Sequence, residues 1–507
     1  MSDVVILDSE PLGWHALAQV AYGSPLQLGK TANKRIHDAR QIVDLIVERK
    51  ERAYGINTGL GALCNVVLAG DQLSALSRNT LQSHACGVGD PLSIPQTRAI
   101  LAAQLQNYAH GHAGISPAVV DGLLAMLNLG ITPVVPAGGS VGYLTHMAHA
   151  ALPLIGLGEA WVDGERLPGA SALARRGLSP LVLNAKDGLS LVNGLPCATG
   201  LLSVAMARAT RLAKWADIIA AMSFEALKGQ ITAFDEEALR AKPHPGAQQV
   251  GKNLRALLSD SAILAVSRGI RTQDALSIRS IPQIHGSTRD QLTHIGDQLN
   301  IELASSNDNP QVFGTPEDYR VISQANPHGQ SMAMAADLLA IALAELAGVA
   351  ERRVDRLVNP LVSGLPPFLV ESSGVNSGLM IIQYVAVSLV AENKVLAHPM
   401  VVDNFVTSAL QEDHLSLATP SVLKAFKVLD NVETVLAIEY LVAAQALHFY
   451  NARDLAQGTR TALTLLREHV PPYIEDRIVS TDITTVLGLL RDPGTLARIE
   501  TGIGLTL

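Results

Sequence analysis

The sequence predicts a mostly α-helical protein built on a bundle of long helices, and three observations carry that expectation. The 507 residues are 48% hydrophobic but only 4% aromatic, and the apolar share is chiefly Ala, Leu, Val and Ile, which favours packed helices. Ser331–Val358, Asn376–Ala397 and Pro420–Leu447 repeat apolar residues at helical spacing with few breakers. Such helices, about 20 to 28 residues long, span roughly 30–40 Å each. Their apolar content extends round much of each helix, so one chain does not cover every face and an oligomer is expected.

Along the chain, residues 1–200 read as an N-terminal domain of short helices and Gly-rich loops, including Tyr54–Gly61 and Ala137–Gly142. Residues 201–507 read as the long-helix bundle with C-terminal helices. Loops this rich in glycine carry tight turns or function. The formal net charge is −8, and Lys and Arg are scattered rather than gathered into a stripe, so nucleic acid is not an expected partner. Cys64, Cys86 and Cys197 are far apart and lack metal-ligand spacing, the pattern of a reduced, cytoplasmic protein. Met1–Val5 has no positive segment leading into an apolar run, and charged residues interrupt the apolar runs elsewhere. Neither a signal peptide nor a membrane span is expected.

A series of motifs runs in order through the chain. They are Tyr54-Gly-Ile-Asn-Thr-Gly-Leu-Gly61, His84-Ala-Cys-Gly-Val-Gly-Asp-Pro91, Gly139-Ser-Val-Gly142, Lys186-Asp-Gly-Leu-Ser-Leu-Val-Asn193, Gln273-Asp274 with Arg279, and Ser306-Asn-Asp-Asn-Pro310. Leu365–Glu371, Gly374–Gly378, Glu392–Pro399 and Ser408–His414 complete the set. Together they resemble the signatures of the aromatic amino acid ammonia-lyases, best known from the histidine ammonia-lyases. The resemblance implies a mostly helical homotetramer around a long-helix bundle, with each active site built from several subunits.

In that family an internal Ala-Ser-Gly cyclises to a methylidene-imidazolone, the electrophile that turns the substrate amine into a leaving group. Here Gly142 runs directly into Tyr143, so the precursor of that cofactor is absent after Gly142. Either a matured group is not represented in the letters of the sequence, or the chain lacks it. Tyr143 stands where the family has Asp, Pro327 where it has Phe, and Leu276 where it has Tyr; these substitutions favour true loss, and no cofactor is expected. A quaternary ammonium needs no such activation, because it leaves directly as a neutral amine. The expected reaction is therefore of the ergothionase type, releasing trimethylamine from the betaine ergothioneine to give thiourocanate. Its rivals are a conventional histidine ammonia-lyase and a non-catalytic homologue that binds an imidazole or aromatic ligand.

The resemblance also implies roles. Tyr54 is the candidate general base, and Arg279 the bidentate clamp for a substrate carboxylate, with Asn193 adding a hydrogen bond. Gln411 and Glu412 are suited to hold the ring, and Gln273 lies in the same set. Lys394 is placed to stabilise charge as it builds up on the ring, or to form an ion pair with Glu392 or Glu412. His84 reads as a hydrogen-bonding support. Tyr143 either meets the substrate cation face-on or fills vacated volume. His146 and His149, three apart with no acidic or Cys partner nearby, read as satisfied core histidines rather than metal ligands. No metal is expected.

Overall fold

The computed structural model describes residues 3–59, 66 and 68–507; Cys64 and the last two residues of the Tyr54–Gly61 motif lie outside them. The chain is mostly helical, and five of its longer helices are α1 (Pro196–Ala226), α2 (Ile281–Leu303), α3 (Gln330–Val358), α4 (Ile382–Leu396) and α5 (Ala418–Leu447). Two of the expected segments match closely, as α3 and α5. Pro420 falls in the first turn of α5, where its missing N–H has no helical partner to lose.

The segment expected from Asn376 instead enters its helix at Ile382. The N–H groups of Ser377 and Gly378 donate to the Asp476 carboxylate at 2.8 and 3.0 Å, and Gly378 sits at φ +61°. Those six residues form a pinned turn before the helix.

The chain divides into two compact units. One comprises residues 1–207, 295–337 and 399–424, and the other residues 208–294, 338–398 and 425–507. The first holds the small sheets. Among them is the antiparallel hairpin Gln311–Thr315 with Asp318–Ile322, in register from Gln311 opposite Ile322 to Thr315 opposite Asp318. Val312 of this hairpin joins Ala39, Ile42, Val43, Ile46 and Ile56 in a buried cluster. That cluster anchors the segment carrying Tyr54.

The second unit buries two charged networks. Arg353 forks onto Glu439, Nε to Oε1 at 2.6 Å and Nη2 to Oε2 at 2.9 Å. Asp217 accepts from His285 Nδ1 at 2.9 Å, Arg289 at 2.7 Å and Asn253 at 2.8 Å. Buried charges persist only when paired and hydrogen-bonded in this way.

Two helical stretches, Asp187–Ala226 and Gln330–Val358, are long and apolar enough to cross a membrane by length and composition. The expectation that charges interrupt every such run was therefore too strong. Their most apolar windows are 100% and 67% buried within the protein, the setting of core helices.

Candidate active site

The Tyr54 turn is held from several sides within the first unit. Asn57 Oδ1 accepts from the Ala53 N–H at 3.0 Å, and its Nδ2 donates to the Glu51 carbonyl at 2.8 Å. The Gly55 N–H donates to Thr58 Oγ1 at 3.1 Å. Gly55 sits at φ +66°, where a Cβ would run into Leu189 and lie 3.2 Å from Pro310 Cδ. Both the backbone conformation and the close approach require glycine. Gly55→Ala is expected to cost about 1–2 kcal/mol of stability and to displace Tyr54. Chemical denaturation and turnover measured on the same variant check this.

The Gly139–Tyr143 motif forms a second turn. Ser140 Oγ accepts from the Gly142 N–H at 3.2 Å and donates to the Tyr143 carbonyl at 3.1 Å. Thr419 Oγ1 donates to the Gly142 carbonyl at 2.8 Å. Leu144 lies at φ 77°, ψ −72°, and the Thr145 N–H bonds back to the Tyr143 carbonyl at 3.2 Å. This is a γ-turn of the strained, positive-φ kind. Strain of this sort collects at functional sites. Ser416 Oγ is buried without a hydrogen-bond partner and faces Gly142, 2.8 Å from where a Cβ there would be.

Glu412 closes the third turn. Thr407 and Glu412 form an isolated antiparallel bridge, and Thr407 Oγ1 donates to Glu412 Oε2 at 3.2 Å. Between them Ser408, Ala409 and Leu410 all take positive φ, at 51°, 52° and 71°, a costly run for residues with a Cβ. Gln411 is exposed and Glu412 half-buried.

These three turns converge. Burial pushes the Tyr143 phenol up to about 12, and the charges of Glu412 and Tyr54 add to the shift. Both groups are therefore within electrostatic reach of Tyr143, which stays a neutral hydrogen-bond donor across the physiological range. The cost of ionising it is absent below the ordinary value of 10.0 and grows as pH rises from there to about 12, so stability falls across that alkaline window.

On the acid side, burial lowers His146 and His285 below the ordinary 6.5. The unfolded chain binds protons near 6.5 that the folded chain refuses, so stability is full above that value and declines as pH falls below it. Urea midpoints between about pH 5 and 8 are expected to drop on the acid side, and a flat profile would contradict the buried neutral imidazoles.

Asn193 does not have the geometry expected of it. Its Nδ2 donates to Asp308 Oδ1 at 2.9 Å and to the Asn309 carbonyl at 2.7 Å. Both donor positions are spent, leaving Oδ1, an acceptor, which cannot hydrogen-bond a carboxylate. Asp308 is the hub that sequence reasoning missed: it also takes Lys186 Nζ at 2.8 Å and Ser190 Oγ at 2.9 Å. Lys186 itself sits at φ 68°. Any signal for this hub lies in the Ser306–Pro310 motif, whose letters do not say which partners its Asp gathers.

His84 Nδ1 engages the Thr80 carbonyl of its own helix at 2.8 Å. His146 Nε2 donates to the Ala137 carbonyl at 2.8 Å, and His149 Nε2 accepts from the Gly87 N–H at 3.0 Å. Among the described residues no group of three or more His, Cys, Asp or Glu is arranged to hold a metal ion.

Gln273, Arg279 and Lys394 belong to the second unit. Arg279 Nη1 donates to Gln273 Oε1, at the end of a one-turn helix whose first residue, Leu276, is exposed. Lys394 is exposed in the last turn of α4. The ion pair considered with Glu392 does not form: Glu392 Oε2 instead accepts from Asn431 at 2.9 Å.

Residues 12–468 match the family model described as aromatic amino acid lyase. Histidine ammonia-lyase of Symbiobacterium thermophilum is 45% identical over 506 residues, covering 98% of this chain and 99% of the relative. Among solved structures, histidine ammonia-lyase from Trypanosoma cruzi superposes with a TM-score of 0.91 at 37% identity, over 98% of this chain and 95% of that one. Ergothionase from Treponema denticola superposes at 0.90 with 28% identity, over 100% of both.

These findings correct two expectations. The ergothionase-type reaction gives way, because relatives named histidine ammonia-lyase reach 45% identity over nearly the whole chain whereas the ergothionase stands at 28%. Of the two alternatives for Tyr143, the face-on contact with a trimethylammonium falls with it. The expectation of no cofactor is also overturned, since enzymes of that name carry the methylidene-imidazolone made from Ala-Ser-Gly. The residues present do not fit the precursor of that group. Gly142 and Tyr143 are contiguous, Ser140 and Thr419 take up the polar atoms of Gly142, and the γ-turn closes the junction.

Proposed function

Because the chain belongs to the aromatic amino acid lyase family, we propose that it is a carbon–nitrogen lyase acting on an imidazole-bearing amino acid, with histidine eliminated to urocanate and ammonia. The observation that carries this reading is the convergence of Tyr54, Tyr143 and Glu412. In a β-elimination one C–H bond gives its proton to a base, a double bond forms, and the ammonium leaves as ammonia. Tyr54 is proposed as the base for the β-proton. Glu412, with Gln411, accepts from the imidazole N–H, and the neutral Tyr143 hydroxyl donates beside it. Asn193 Oδ1 suits the substrate ammonium, an acceptor facing a donor.

Arg279, aligned by Gln273, is proposed to hold the carboxylate. Lys394 is proposed to stabilise charge on the ring, and His84 to support the site. We also propose a cytoplasmic homotetramer. Tyr384, Val385 and Val395 of α4, with Ile381 just before it, are exposed, an apolar face that a second copy would cover.

Incubation of the purified protein with histidine tests the reading, following ammonia and the ultraviolet absorbance of the conjugated product. Ergothioneine serves as the comparison. Stoichiometric ammonia and urocanate are expected. Trimethylamine from ergothioneine without ammonia from histidine would overturn it.

A further inference from the structure

His328 Nε2 lies 2.9 Å from His414 Nδ1, and the two rings are tilted with centroids 5.1 Å apart. A hydrogen bond between two imidazoles needs one ring N–H facing one bare nitrogen. With both rings protonated, two N–H groups and two positive charges oppose each other. Each ring also precedes the N-terminus of a long helix, α3 after His328 and α5 after His414, and the positive end of a helix disfavours an imidazolium. Gly329 shows how closely these segments approach, because a Cβ there would lie 3.1 Å from Ala418 Cβ.

We infer that His328 and His414 are positioning residues, a latch that holds the Gln411–Glu412 turn against the start of α3 while the pair carries no more than one excess proton. The inference rests on the proposed role of Glu412. That turn contains the three consecutive positive-φ residues Ser408, Ala409 and Leu410, a conformation that persists only when its surroundings impose it. The latch supplies one such restraint from outside the turn, and Asn404 Oδ1, accepting from the Leu415 N–H at 2.9 Å, supplies another. Among the described residues, the ionisable groups on the elements that carry the pair include Asp413 and Glu412 beside His414 in the chain, and Glu302, which accepts from Ser331 at 3.1 Å at the start of α3. Burial and the facing His414 hold His328 below the ordinary imidazole value. Acidification therefore loads a second proton onto a pair that resists it and opens the latch.

Hydrogen exchange of the peptide covering residues 404–416, read by mass spectrometry on the full-length protein between about pH 7.5 and 5 and corrected for intrinsic exchange, tests this without reference to turnover. Wild-type protection is expected to fall on the acid side. His414→Gln keeps an acceptor for a protonated His328, so its protection should persist into acid. His414→Phe should exchange about five- to tenfold faster at every pH, the loss of about one hydrogen bond. On histidine, the acid limb of kcat/KM should move to lower pH in His414→Gln. An acid loss of protection in His414→Gln matching the wild type, or unchanged exchange in His414→Phe, overturns the latch. Absence of histidine turnover in the wild type would instead remove the reaction, while the exchange data still decide the latch.

Discussion

Replacing Tyr54 by Phe is expected to lower kcat on histidine by about 10²- to 10⁴-fold, the usual worth of a positioned general base, with KM changed far less. The substitution removes one oxygen and keeps the ring. The turn itself is set by Gly55, Asn57 and Thr58 through backbone contacts that the change does not touch. A phenol needs help to accept a proton at neutral pH. Steady-state kinetics with circular dichroism as the folding control decides the matter. A Tyr54→Phe enzyme within about threefold of wild-type kcat would assign the base elsewhere.

The second large effect concerns stability. Arg353→Met should destabilise the fold by about 3–5 kcal/mol, because it strands the Glu439 carboxylate in a dry interior. Both side chains are 0% exposed, and after the change Ser223 alone, donating at 2.7 Å, remains bonded to that carboxylate among the described residues. The double variant Arg353→Met with Glu439→Leu is expected to recover most of the loss, since two apolar groups of similar bulk need no partners. Denaturant unfolding at one fixed protein concentration measures both. A single variant within about 0.5 kcal/mol of wild type would mean that the carboxylate finds water or a proton instead.

Much of this architecture is legible in the order of the amino acids alone. Apolar periodicity locates α3 and α5 nearly to the residue, because both are long and lack breakers. The start of α4 escapes it, since the residues that stop the helix are held by Asp476, about a hundred positions away. The motifs mark Tyr54, Tyr143 and Glu412 one by one, but their order does not say that Tyr54 and Glu412 lie within electrostatic reach of Tyr143. The donors of Asn193 were misassigned because its partner Asp308 lies 115 residues on, and no local signal reports which hydrogen-bond donors are already spent. The reaction was misjudged for a different reason. The missing Ala-Ser-Gly and the substitutions at Tyr143, Pro327 and Leu276 all point locally to loss of the electrophile, whereas similarity distributed over the whole chain points to the histidine ammonia-lyases.

The first compact unit is assembled from three separate stretches, the last of which ends at residue 424. A ribosome making this protein therefore cannot release a finished first unit when residue 207 emerges. The nascent N-terminal segment must wait through more than two hundred further codons for the stretch that carries Glu412, with apolar surface uncovered meanwhile. Synthesis speed and chaperone supply should thus govern the soluble yield of this protein, and splitting its gene near the middle should leave neither product able to complete that unit.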